Sequence, residues 1–388
     1  MDFSPDPDHE AIVEAVDGIC GKYPDEYWSA CDQEHRFPWD FYADMATAGW
    51  VGIAIPEQYG GGGAGITEAA IVLNRVAASG AGMNGSTALH LTMFGLNPVV
   101  KFGNDHLKDA FLPRAAAGDL HVAFGVTEPD AGTDTSRITT RAFDDGKGGF
   151  VVRGRKIWTS KALESEVVLL LVRTDDPTSD NRFAGLSLLL ADLNPAYVDI
   201  RPIPKAGRNA VASCEVAYDD LPVEGWRLVG ERGRGFQQLL HGINPERILL
   251  SAMACGIGEA ALRRAVTYAS ERIVFDRPIG ANQAISHPLA QARVQLRAAY
   301  LMMQQAAWLY DHDRPCGEEA NTAKYLAAEA GYFAADHAVQ THGGLGYATE
   351  YHVERYWREA RIQRLAPVSQ EMTLNYIAQN VLGLPRSY

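Results

Sequence analysis

The chain has 388 residues, 47 % of them hydrophobic and 21 % charged, with a net charge of −13. That length accommodates two or three domains with sizeable cores, and the acidic balance argues against nucleic acid or an anionic membrane as a general partner, while leaving room for a local basic patch around a phosphate-bearing ligand. Five scattered cysteines (Cys20, Cys31, Cys214, Cys255, Cys316) form no CxxC pair and no zinc-spaced cluster, the acidic N-terminus carries no signal-peptide pattern, and apolar runs such as VVLLLV are too short to span a bilayer; together these predict a cytoplasmic protein.

Residues 1–120 read as helical, because HEAIVEAVDGICGKY and ITEAAIVLNRVAAS repeat apolar residues at spacings of three and four. GGGGAG (60–65) formally contains a GxGxxG pattern, but Pro56 and the helical context favour a loop over a dinucleotide site. From 121 to 229 the character changes to short β-branched or apolar runs, GFVVRGRKIWTS, EVVLLLVRT and AGLSLLLADL, separated by turn clusters. DDGKGG (144–149) between two such runs marks a hairpin. Residues 230–388 return to long, Ala-rich helical stretches of similar length, which suggest a bundle. The expected fold class is therefore multidomain α+β: a helical N-terminal domain, a middle β-barrel or sandwich domain, and a C-terminal four-helix bundle.

Several stretches carry possible chemistry. FGVTEPDAGTDTS (124–136) is a polar loop entering the β domain, with hydroxyls at Thr127, Thr133, Thr135 and Ser136; it suits donors to a flat heterocycle or phosphate as well as it suits a solvated, capped loop. In GRKIWTSKA, Trp158 is followed by Thr159 and Ser160, so an indole face could cover an aromatic ring beside a hydrogen-bonding hydroxyl; general burial preferences favour a core Trp instead. The stretch YASERIVFDRPIGANQ ends a helix at Arg272, a residue whose planar fork suits a pyrophosphate, and continues to Gln283. VQTHGGLGY holds Gln340 and a run of glycines, through which backbone could approach a cofactor, although ordinary helix termination explains both stretches equally. In HGINPERILLSAMACGIGEA, Asn244–Pro245 reads as a cap and first helical position, with Glu246 and Arg247 at the mouth of an almost wholly apolar helix. GIGEAA (256–261) lies inside that helix, where glycines permit close helix packing.

Taken in order, TEPDAGTD, GRKIW, RIVFDRPIGANQ and GGLGY resemble the acyl-CoA dehydrogenase family of flavoenzymes, and the resemblance covers nearly the whole chain. It implies FAD held between the domains and across a dimer contact, in a homodimer or homotetramer, with an acyl-CoA substrate and an electron-transfer flavoprotein as the electron acceptor. By position, Phe124, Val126 and Thr127 would lie along the isoalloxazine, with Thr133 near its edge. Trp158 would shield the ring and Ser160 would bond near N5. Arg272, Gln283, Gln340, Gly343 and Gly344 would hold the pyrophosphate and adenosine, partly from a neighbouring subunit, and Ser369 would join the cofactor set. Lys161 and Asp276 depart from the family's usual Asn and Gly.

The family reaction removes an α-proton to a carboxylate while the β-hydrogen leaves as hydride. Most members draw that carboxylate from an EGT motif, and its Glu position here falls on Pro367, followed by Val368 and Ser369. Proline neither accepts a proton nor offers a backbone N–H to the thioester oxygen. In isovaleryl-CoA and long-chain acyl-CoA dehydrogenases the base comes from the matching bundle helix. That resemblance assigns Glu246 as base with Arg247 as its positioning partner, against the plainer reading of an anion at a helix N-terminus. Burial against the acyl chain is expected to outweigh the helix terminus and Arg247 in setting its basicity. Alternatives within the fold are other acyl-thioester chemistry (a desulfinase or an acyl-carrier-protein dehydrogenase) and a non-catalytic FAD scaffold. The helix around 84–98 is expected to line the acyl pocket.

Overall fold

The computed structural model describes residues 6–386, so the first five residues, read above for a leader pattern, lie outside it. Seven helices come first: α1 (Pro7–Cys20), α2 (Asp25–Gln33), α3 (Trp39–Thr47), α4 (Ile66–Val76), α5 (Gly82–Gly95), α6 (Asn97–Phe102) and α7 (Asp105–Ala117). The GGGGAG stretch is a loop before α4, preceded by a short 3-10 turn rather than a strand; a Cβ at Gly61 would collide with the Ile55 carbonyl oxygen, and one at Gly62 would sit tightly against that of Ile53 at 3.0 Å.

Eight strands follow: β1 (Val122–Gly125), β2 (Arg141–Asp144), β3 (Phe150–Ser160), β4 (Val167–Arg173), β5 (Leu186–Asp192), β6 (Val198–Pro202), β7 (Ser213–Val223) and β8 (Leu228–Val229). They form one mixed sheet in the order β6-β7-β3-β2-β4-β5-β8, with β1 parallel to β4. The DDGKGG turn joins β2 to β3 antiparallel, with Asp144 opposite Phe150. Strand β4 is apolar from Val167 to Val172, as expected where both faces are covered. Val167, Leu169 and Leu171 pack with α6 and α7, whereas Val168, Leu170 and Val172 pack with β3 and β7.

The last third holds α8 (Gly235–His241), α9 (Ile243–Glu271), the two-stranded ribbon β9 (Ile273–Val274) and β10 (Arg277–Pro278), α10 (Gln283–Asp311), α11 (Gly317–His342), α12 (Val353–Ala360) and α13 (Gln370–Tyr376). Helix α9 starts at Ile243, not at an Asn244 cap. Gly242 has α-region dihedrals and carries the chain from α8 almost directly into α9, so Asn244 already lies within the first turn. Close packing of α9 depends on the glycines of GIGEAA: a Cβ at Gly258 would sit 2.7 Å from Leu296 Cδ2 and 2.9 Å from Gly331 Cα. Helices α9, α10 and α11 share one core with α4 and α5, so α5 is enclosed almost completely.

Candidate active site

Glu246 lies in the first turn of α9, and its side chain is 24 % exposed. Its Oε2 is 2.8 Å from Nε2 of His90, a buried residue of α5. Oε1 makes no hydrogen bond among the described residues. The sequence paired Glu246 with Arg247, but the structure does not: Arg247 Nη1 donates to Asn244 Oδ1 at 2.9 Å, one turn back on the same helix. Successive helical side chains point about 100° apart, so the residue after Glu246 faces elsewhere. Burial pushes the Arg247 pKa down to about 10. Lys324 of α11, fully buried, donates to the Gln363 carbonyl; burial first, then nearby Arg247, lower its pKa to about 8, while Glu246 opposes the shift.

His90 is the functional candidate that pattern reading missed. A single imidazole on an otherwise buried helix was the available signal, but only the α5–α9 packing reveals its partner. Two residues on, the same helix meets the end of β3: Lys161 Nζ donates to Thr92 Oγ1 at 2.6 Å and to the Ala88 carbonyl at 3.0 Å. Lys161 is completely buried, and desolvation lowers its pKa to about 7. Helix α5 therefore ties the carboxylate on α9 to the strand that carries Trp158 and Ser160.

Trp158 is 53 % exposed rather than in the core. Between Lys156 and Thr159, β3 carries one residue more than its partner β7. This bulge, with φ +62° at Trp158, turns the indole outward. Left-handed backbone at a bulky residue is strained and persists only where the surroundings impose it. One imposing contact is a buried clamp: Glu128 accepts from Lys156 Nζ at 2.9 Å and from Thr139 and Thr140, while Lys156 also donates to the Val126 carbonyl. Burial alone would raise the Glu128 pKa, but the Lys156 charge and these donors hold it at about 2. At Lys156 desolvation prevails over the same attraction, and its pKa falls to about 8. The Thr127 carbonyl is taken by the Ile157 N–H at 2.9 Å, while the Thr127 hydroxyl has no hydrogen bond among the described residues. Phe124, Val126 and Thr127 are partly covered and Thr133 is exposed. Ser160 Oγ accepts from Arg208 Nη2 at 3.0 Å.

Arg272, Gln283, Gln340, Gly343 and Gly344 are all exposed and lie at the other end of the bundle, where α9 and α11 terminate and α10 begins. Arg272, the residue after the end of α9, is 26 helical rises from Glu246, about 39 Å along a helix. Within one chain these two sets do not converge. Gly343 has φ +62°, and a Cβ on Gly343 or Gly344 would meet nothing within 4 Å. Packing within the chain therefore does not account for the missing side chain at Gly344; the bare backbone suits close approach by a ligand. Ser369 caps α13 through its hydroxyl and follows Pro367, which lies in the turn between α12 and α13. No helix among the described residues is long and apolar enough to cross a membrane.

Comparison with known proteins places this geometry. Family models described as the N-terminal, middle and C-terminal domains of acyl-CoA dehydrogenase match residues 6–119, 123–221 and 233–382. The chain is similar to acyl-CoA dehydrogenase FadE12 of Mycobacterium tuberculosis, 39 % identical over all of this chain and 99 % of that protein. Butyryl-CoA dehydrogenase from Megasphaera elsdenii superposes with a TM-score of 0.93 at 26 % identity, covering 98 % of this chain and 100 % of that one. The FAD complex of PigA shares the fold at a TM-score of 0.92 and 23 % identity, covering 99 % and 100 %. With all three domain models matched in order and a full-length relative well above 30 % identity, the chain belongs to the acyl-CoA dehydrogenase family.

Proposed function

We propose that the protein catalyses α,β-dehydrogenation of an acyl-CoA thioester to the trans-2-enoyl-CoA, with Glu246 as the proton acceptor and an electron-transfer flavoprotein receiving the electrons. The observation that carries this reading is the Glu246–His90 pair, in a chain whose usual base position is Pro367. FAD is the cofactor of the family, and when bound it supplies the acceptor for the β-hydrogen. The residues present suit it: an outward indole at Trp158, the hydroxyls of Thr127, Thr133 and Ser160, and the bare backbone at Gly343 and Gly344.

The remaining work falls to side chains of this protein. A His90 ring N–H donated to Oε2 holds the carboxylate in one rotamer and leaves Oε1 to take the α-proton. The buried Lys324 adds positive charge nearby without pairing with the carboxylate. Proline at 367 provides no N–H for the thioester oxygen, a donor of a kind worth about 2.7–4 kcal/mol elsewhere; the Val368 N–H is the next backbone donor along the chain. Because Arg272 lies about 39 Å along the helix from Glu246, at the same end of the bundle as Gln283, Gln340, Gly343 and Gly344, the reading requires a second copy of the chain to complete each cofactor site.

Anaerobic titration of the holoenzyme with straight, branched and aromatic acyl-CoAs tests the reading. Flavin bleaching by at least one of them is expected, and its abolition in Glu246→Gln. Turnover without bleaching, or only on carrier-bound acyl groups, would instead establish other thioester chemistry; bound flavin with no turnover on any thioester would establish a scaffold.

A further inference from the structure

Arg208 lies in the connection between β6 and β7 with φ +60°, an uncommon backbone region for a non-glycine residue. The segment is pinned on several sides. Lys205 Nζ donates to the Arg208 carbonyl at 2.6 Å. The Asn209 N–H donates to Asp32 at 2.8 Å, and the Ala210 N–H to Asn84 at 2.9 Å. So held, the guanidinium reaches under β3 and β7, where its Nη2 donates to Ser160 Oγ at 3.0 Å and to Ser213 Oγ at 2.8 Å, two residues that face each other across the ladder. No carboxylate lies within ion-pair distance of Arg208 among the described residues. Desolvation pulls its pKa down to about 10, with Glu359 as the more distant counter-charge. A shielded cation without an anionic partner is costly to keep. Both of its hydrogen-bond partners are hydroxyls, and one of them is Ser160.

We propose that Arg208 is a positioning residue acting through Ser160. This rests on the reading above that Ser160 faces flavin N5. With a guanidinium N–H occupying one lone pair of Oγ from behind, the Ser160 O–H is directed away from Arg208, toward the cofactor face. The same positive charge favours the reduced cofactor, which carries more negative charge than the oxidised one. Arg208 thereby does two things with one contact: it sets the direction of a hydroxyl and raises the tendency of the flavin to accept electrons. Geometry alone would be met by any donor; the charge is what a neutral side chain fails to supply.

The test uses the FAD-loaded enzyme and its two-electron midpoint potential, measured with dithionite and reference dyes and no acyl-CoA. Arg208→Gln is expected to retain FAD and to shift the oxidised-to-reduced ratio at a fixed dye potential about tenfold toward oxidised, equivalent to about 30 mV for a two-electron couple. Arg208→Lys, which keeps the charge, is expected to stay within about threefold of the parent. An unchanged midpoint in Arg208→Gln overturns the proposal. So does a Lys variant that falls as far as Gln, or a Gln variant that no longer binds FAD, since each makes Arg208 a purely structural residue. Because no thioester is used, a failure of acyl-CoA bleaching leaves this readout intact and is told apart from it.

Discussion

At the residue scale, the chemistry turns on contacts between side chains far apart in the chain. His90 and Glu246 are 156 residues apart and 2.8 Å in contact. His90→Leu removes the hydrogen bond that orients the carboxylate but leaves the base itself, so kcat for acyl-CoA oxidation is expected to fall about 10–100-fold with little change in KM, less than the roughly 100–10,000-fold that a general base contributes as a whole; His90→Gln, able to donate, is expected to recover part of it in steady-state assays. Glu128 governs a different property. Its folded pKa of about 2 lies below its ordinary value of 4.5, so the clamp's stabilisation is fully present above pH 4.5 and is lost as pH falls from 4.5 toward 2. Glu128→Gln leaves Lys156 buried and unpaired, and is expected to cost about 3–5 kcal/mol at neutral pH. The gap between parent and variant in urea unfolding should narrow across that acid window.

Single elements explain which sequence patterns were legible. The turn chemistry of DDGKGG between two β-type runs identified the β2–β3 hairpin, and an unbroken apolar run identified β4, because these signals are local. The bulge in β3 was not legible: nothing in GRKIWTS announces one extra residue against β7, yet that residue decides whether Trp158 is buried or 53 % exposed. The start of α9 was misplaced for a similar reason, since Asn-Pro is a good cap pair locally while Gly242 lets α8 run on. The glycines of α9 were read correctly as packing positions. Gly258→Val is expected to force α9 away from Leu296 and Gly331, costing about 1–3 kcal/mol in overpacking, checked as a lower Tm with the visible flavin spectrum as a second readout. Asp276, where the resemblance led to an expected Gly, has φ +59°, a region that Asp tolerates better than most residues.

For the whole molecule, the separation of the two residue sets proposed to contact the cofactor is the feature that matters. The β9–β10 ribbon next to Arg272 presents Phe275 at 94 % exposure, and the turn after Gly344 presents Tyr347 at 85 %. Exposed aromatics of this size beside a proposed cofactor contact suit burial by a second copy. Phe275→Asp is therefore expected to shift the protein toward monomer in sedimentation velocity and to weaken FAD retention together; a variant that stays oligomeric with full flavin would refute the link. By itself the sequence determined the α–β–α order, the family resemblance and Glu246 as the one acid at the mouth of α9, because helix period, strand run and ordered motifs are properties of neighbouring residues. Only the tertiary structure decided that Glu246 pairs with His90 rather than Arg247, that Trp158 points outward, and that Arg208 lies behind Ser160. Those outcomes depend on which faces of distant elements pack together, and side-chain direction across such a contact is absent from any local spacing.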